Sequence, residues 1–260
     1  MTTRTGFAGG DLCWTDLQTG DVAAAKAFYA AVFGWLYEDL PTPEGRSYAQ
    51  AFLGGDLVTV IAPQNPQQQA AGAQGQWNVY FASSDAGELA ANLVDAGGTL
   101  EFGPESVGGT GVMVFFAPPG GGTTGAWQAG SHFGAARSGE PGALAWAELL
   151  TPEPQSAVGF FQQLFGHDVT EYPQDDGGRY TTLMVDGAEV AGIAAVPADA
   201  EGTLKPGWQV YFGVSSVADA VAAAVAAGGT VLIEPDELED AGTIATLADP
   251  QGGVFSVLEV

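Results

Sequence analysis

Positive charge is scarce in this chain: six Lys and Arg stand against 31 Asp and Glu in 260 residues, a formal net charge of −25. Nucleic acid and anionic lipid are held by Lys and Arg that displace counterions, so neither is a partner of this sequence. The acid residues form no clustered loop and read as a solvated surface. Cysteine is nearly absent: Cys13 stands alone, which excludes an internal disulfide. The opening MTTRTGFAGGD lacks the apolar core of a signal peptide, so the expectation is a cytoplasmic protein. Long apolar runs are missing as well. The Ala-rich segment 217–227 is broken by Asp219 and stops at Gly228, short of the roughly 20 residues that a membrane span needs. What remains is 46% hydrophobic with 14 Phe, 7 Tyr and 6 Trp, the composition of a globular chain with a sizeable core.

The chain repeats itself. LCWTDLQTGDVAAAKAFYAAVFG at 12–34 returns as LAWAELLTPEPQSAVGFFQQLFG at 144–166, so that Trp14 answers Trp146 and Asp16 answers Glu148 at an offset of 132. WNVYFASS at 77–84 returns as WQVYFGVSS from 208, DAGGTL as AAGGTV, and APPGGG as ADPQGG, with the offset reduced to 131. The echo defines a module over 1–129, a linker over 130–142 and a second module over 143–260, each long enough to bury its own core.

Within each module the elements recur. Residues 11–17 read as a strand with Leu12, Trp14 and Asp16 on one face and Cys13, Thr15 and Leu17 on the other. Asp21 then opens a helix whose apolar positions Val22, Ala25, Phe28, Tyr29, Val32 and Phe33 follow the three-and-four spacing up to Gly34. Residues 48–53 and 57–62 flank a Gly-Gly turn as a hairpin, repeated around Asp186-Gly187. Segment 63–76 has no periodicity and reads as a loop. Strands at 77–82, 100–102, 112–117 and 123–128, with a helix over 85–96, complete the module. Its first half thus reads as strand, helix, strand, strand.

This order, with the aromatic pairs Phe28-Tyr29 and Phe160-Phe161, the VFG and LFG helix ends and the DPQG turn at 249–252, resembles the glyoxalase, bleomycin-resistance and extradiol-dioxygenase superfamily, the vicinal oxygen chelate proteins. The W-x-[DE]-L starts and the FGW helix end are most similar to its two-module actinobacterial members. The resemblance implies an α+β fold of tandem βαβββ modules, four units in all, with two curved sheets around ligand cavities. Metal-binding relatives place His or Gln in the first strand of a unit and Glu in its last. Those places here hold Trp14, Gly125, Trp146 and Ser256. An indole nitrogen carries a proton and has no free lone pair, so the expectation is no metal and no other cofactor. His132, in the linker, and His167, after a helix end, read as structural residues.

The remaining candidates are an indole with a carboxylate two residues on, Trp14 with Asp16 and Trp146 with Glu148. One reading is an aromatic wall beside an inward general base; the other is a filled core with acids paired to buried donors. Tyr48, Tyr180, Trp77, Trp208 and Trp127 are further candidate wall residues, with core packing as the competing role. Arg46 and Arg179 are candidate anchors for an anionic substituent, and Ser256 for a polar one. The functional expectation is metal-independent binding of a small, largely apolar or aromatic natural product by a monomer or homodimer. The alternatives are a cofactor-independent cyclase, isomerase or epoxide-opening enzyme using Asp16 or Glu148, and, third, a metal-dependent glyoxalase or dioxygenase.

Overall fold

A computed structural model describes residues 4–41, 47–174, 177–197, 202–238 and 242–260. The first half-module runs β1 (Leu12–Thr19), α1 (Val22–Phe33), β2 (Leu36–Pro41), β3 (Ser47–Leu53), β4 (Asp56–Pro63). A short helix α2 (Pro66–Ala70) leads to β5 (Gln76–Ala82), α3 (Ala86–Asn92), β6 (Thr99–Ser106), β7 (Gly111–Ala117) and β8 (Thr124–Ala129). The second module repeats this with β9 (Leu144–Leu150), α4 (Pro154–Phe165), β10 (Asp168–Pro173), β11 (Arg179–Val185) and β12 (Ala188–Ala194). It ends with β13 (Gly207–Val214), α5 (Val217–Ala226), β14 (Thr230–Leu238), β15 (Gly242–Ala248) and β16 (Val254–Glu259).

Each module is one open eight-stranded mixed sheet, ordered β2-β3-β4-β1-β5-β8-β7-β6 and β10-β11-β12-β9-β13-β16-β15-β14. The first strands of the two half-modules, β1 and β5, pair antiparallel at the centre, as do β9 and β13. Trp14 lies opposite Tyr80, and Trp146 opposite Tyr211, at equivalent registers.

Three local expectations need correction. The first half of each module has a further strand, β2 or β10, that the sequence hides: Leu36–Pro41 and Asp168–Pro173 are edge strands with almost every residue exposed or half-exposed, so no apolar alternation marks them. Within the supposed loop 63–76, α2 forms because Asn65 and Gln68 make a reciprocal capping box and Pro66 presets the first helical φ. Leu12 does not share a face with Trp14. The β1–β5 register shifts between them, and this bulge sends Leu12 to the main core while Cys13 and Trp14 join a smaller cluster on the opposite side.

α1 and α4 form for the reasons the sequence states. Asp21 caps α1 by accepting from Ala24 N at 2.9 Å, and Gly34 and Gly166 close the two helices in the left-handed region at φ 71° and 76°. Their buried aromatic faces do not stay within their own modules. Phe28 on α1 meets Phe255 of β16 at 5.9 Å, and Phe160 on α4 meets Phe116 of β7 at 5.6 Å. The two sheets therefore share one core, with these helices as the filling between them. The duplicated Gly-Gly pairs make room for it. A Cβ at Gly98 would stand 2.4 Å from Phe160, and one at Gly229 2.8 Å from Phe28. Fully burying each such ring contributes about 1.5–3 kcal/mol.

Polar groups in this shared core are satisfied across the modules. Tyr29 Oη donates to Asp249 Oδ2 at 2.9 Å and accepts from Trp77 Nε1 at 3.1 Å, while Trp208 Nε1 donates to Thr124 Oγ1 at 2.8 Å. Buried His167 places Nε2 2.8 Å from the Gly10 carbonyl and packs on Phe81, Phe161 and Phe165. Burial lowers its pKa, opposed by the two carbonyls it faces. Among the described residues no helix is long and apolar enough to cross a membrane.

Candidate functional site

With the helices filling one side, each sheet presents its other face, where the paired central strands place the predicted indole and carboxylate. In the first module Asp16 Oδ1 accepts from Asn78 Nδ2 at 2.7 Å and Oδ2 from Tyr80 Oη at 2.5 Å. The Tyr80 ring lies over Gly125 of the adjacent strand, where a Cβ would stand 2.2 Å from the ring. Trp14 packs edge-on against His132 at 4.5 Å, and Trp127 Nε1 donates to the His132 carbonyl at 2.8 Å.

This face is covered by the protein's own chain. Ala135 N donates to Cys13 O and Ala136 N to Leu57 O, so the linker runs across the sheet. Phe7 and Ala135 join Trp14, Tyr80 and Trp127 in a small apolar cluster, and Trp14 keeps 6% of its surface. Burial lowers the pKa of His132.

The second module builds the same constellation one methylene longer. Glu148 accepts one hydrogen bond from Tyr211 Oη and a second from Tyr180. Trp146 Nε1 donates to Tyr180 Oη at 2.7 Å. Tyr180 reaches this point by lying over Gly192, the β12 residue beside Glu148, where a Cβ would meet its oxygen at 2.0 Å. At the position equivalent to Gly192 the first module has Val60 instead, and Tyr48, the counterpart of Tyr180, stands 40% exposed. Ser256 is buried, 2.9 Å from Thr246 Oγ1 and in contact with the Tyr211 hydroxyl. Trp146 is only partly buried and borders a cavity of about 280 Å³ that it shares with Arg4, Val190 and the linker residues Ser138 and Gly139.

The electrostatics of both clusters run the same way. Burial raises the carboxyl pKa of Asp16 and of Glu148, with the phenol hydrogen bonds opposing it. Burial beside a carboxylate likewise pushes Tyr80, Tyr180 and Tyr211 upward. In the second module a carboxyl and two phenols, all poised to keep or share a proton, can donate to or accept from a bound hydroxyl or carbonyl.

Other predicted residues lie elsewhere. Trp77 and Trp208 are in the shared core, on the helix side, so they line neither open face. Arg179 pairs with Glu171 at 2.5 Å on an exposed edge, a solvated ion pair remote from the cluster's bonds. Arg46 lies outside the described residues. Sequence reasoning missed Tyr80, Asn78, Tyr211 and Gln209. The signal was present in the W-x-V-Y-F repeat, since strand alternation from Trp77 and Trp208 puts Asn78 with Tyr80 and Gln209 with Tyr211 on the face opposite the indole.

The fold agrees with what the chain is similar to. Residues 12–123 match the Glyoxalase/Bleomycin resistance protein/Dioxygenase superfamily and residues 146–258 a Glyoxalase-like domain. The chain belongs to this superfamily. It is 38% identical to "Putative glyoxylase CFP32" of Mycobacterium tuberculosis over 100% of this chain and 98% of that protein. It is 34% identical to the anthracycline biosynthesis protein DauV of Streptomyces sp. (strain C5), over 98% and 95% of the two chains. A Mn(II)-bound glyoxalase from Novosphingobium aromaticivorans shares the fold at a TM-score of 0.67 and 18% identity, over 96% of this chain and 82% of that one.

A divalent ion does not suit the donors present. Trp146 uses its nitrogen as a donor, Gly125 offers no side chain, and Ser256 is engaged with Thr246. The nearest carboxylates are already held by phenols. Among the described residues no three His, Cys, Asp or Glu converge.

Proposed function

We propose that the open face of the second module binds a small, largely apolar or aromatic organic molecule without a metal, in a natural-product binding or resistance role. The observation that carries this reading is the contrast between the modules: the Trp146, Tyr180, Glu148, Tyr211 cluster is tied together by its own hydrogen bonds and leaves Trp146 partly exposed beside a cavity, whereas Trp14 is buried under the linker. A pre-ordered indole and phenols offer a large apolar contact at little entropic cost. The likeness to DauV adds planar polycyclic natural products as the ligand class to try first.

The test uses 1,4-dihydroxyanthraquinone as the probe. Expected are a raised melting temperature, quenched tryptophan fluorescence and unchanged probe by mass spectrometry. Trp146→Ala should weaken binding by about tenfold or more, as for a buried aromatic anchor, and Trp14→Ala by less than about threefold. Equal losses in the two variants would remove the second module's special role.

A second reading is favoured by the raised Glu148 carboxyl and its two phenols: a cofactor-independent cyclase, isomerase or epoxide-opening enzyme. Proton transfer would then pass between Glu148 and the ligand, and Glu148→Gln would lower turnover by about 10²–10⁴-fold while affinity stays within a few-fold. A probe recovered unaltered from every incubation with a series of hydroxyquinones and epoxides sinks this version.

A further inference from the structure

The face that carries Glu148 holds a group the cluster does not use. Gln209 is the cross-strand partner of Glu148 and lies two residues before Tyr211, so its side chain shares their face. It is 7% exposed, and its Oε1 has no hydrogen-bond partner. A buried carbonyl without a donor is costly and rare. In the first module the equivalent Asn78 spends its amide on Asp16. Glu148, longer by one methylene, takes its donors from two tyrosines and leaves Gln209 free.

The free amide borders a cavity of about 240 Å³ at the end of the sheet where β13 and β16 begin. Leu204, Leu232, Ala248 and Val254 form apolar walls, and Lys205 lines the same space. An apolar cavity of about 150 Å³ accepts benzene, so this one has room for a substituted ring. Lys26, Arg137 and Arg179 are ion-paired and Arg4 stacks on Phe7, whereas Lys205 is, among the described residues, the one cation with neither an ion pair nor a ring contact. An ammonium with no carboxylate partner beside an apolar cavity offers an anionic substituent its local counter-charge.

We propose that this cavity receives a ring bearing a hydroxyl at its buried end, which donates to Gln209 Oε1, and a carboxylate at its other end, set against Lys205. The proposal deepens the reading of the second module's face as a small-molecule site and rests on it. Apolar walls hold the ring, Gln209 selects for the donor, and Lys205 selects for the acid.

Calorimetry on the full chain with 4-hydroxybenzoate, benzoate and 4-hydroxybenzyl alcohol separates the contributions. The wild type should bind 4-hydroxybenzoate about tenfold more tightly than either truncated probe, the usual loss when one hydrogen bond or charge contact is removed. Gln209→Leu should erase the preference over benzoate and keep that over the alcohol; Lys205→Gln should do the reverse. Gln209→Met serves if the leucine variant does not fold. Equal affinity for the three probes, or preferences unmoved by either substitution, overturns the proposal. If 4-hydroxybenzoate fails while 1,4-dihydroxyanthraquinone still binds through Trp146, the cavity assignment is wrong and the broader reading stands. If the anthraquinone fails while the crosswise pattern holds, the cavity is the site and the Trp146 surface is not.

Discussion

Glu148 differs from Asp16 by one methylene, and the two faces diverge from there. Asp16 reaches Asn78 and Tyr80; Glu148 reaches Tyr180 and Tyr211, which frees Gln209 and draws Tyr180 over Gly192. Both acids have pKa values raised chiefly by burial. A raised folded-state value means that the proton binds the folded chain more tightly than the unfolded one. The resulting stability is complete below the ordinary carboxyl range near pH 4 and is lost as pH rises through the folded-state value. Glu148→Gln, which never ionises, should therefore gain melting temperature relative to the wild type as pH goes from about 4 to 8. A difference between the two proteins that does not change with pH would refute the burial argument. At this scale the sequence shows which residue types recur, and Trp14, Asp16 and their echoes were legible. The free carbonyl of Gln209 was not, because an unmade hydrogen bond is defined by where every other donor ended up.

Helices announced themselves better than edge strands. α1 and α4 carry apolar spacing and a left-handed Gly stop, and both are where the spacing puts them. β2 and β10 bury too little to leave a pattern, since an edge strand is held by backbone pairing on one side only. The two equivalent helices also start differently. Asp21 accepts a backbone N–H, whereas Glu153 makes no side-chain cap bond and α4 begins on Pro154 instead. Asp21→Ala should cost about 1 kcal/mol in chemical denaturation, the usual value of a capping oxygen, and Glu153→Ala a few tenths at most. Equal costs at the two positions would show that capping does not set these helix starts. The bulge between Leu12 and Trp14 belongs to this scale as well: strict alternation put the two side chains together, and the extra residue separated them.

The whole molecule is one core between two open sheets. Phe28 and Tyr29 of the first module pack on Phe255, Phe160 and Phe161 of the second pack on Phe116 and Phe81, and Tyr29 hydrogen-bonds Asp249. Residues 143–260 expressed alone would expose Phe160, Phe212 and Phe255 together, an apolar patch that a folded soluble domain does not keep in water. The expected outcome is a fragment without a cooperative thermal transition, or an aggregate in gel filtration. A monomeric fragment melting like the full chain would mean that the modules are independent. The sequence alone determined the duplication, the helices α1 and α4, the strands that carry Trp14 with Asp16 and Trp146 with Glu148, and the family, because these depend on local spacing and on comparison of the chain with itself. Only the tertiary structure decided that the helices of one module fill the core of the other, that the linker buries Trp14 while Trp146 stays partly exposed, and that the Gln209 carbonyl stands unpaired beside a cavity. Those outcomes depend on which surfaces compete for the same space, and two nearly identical sentences of sequence meet different neighbours when only one linker joins them.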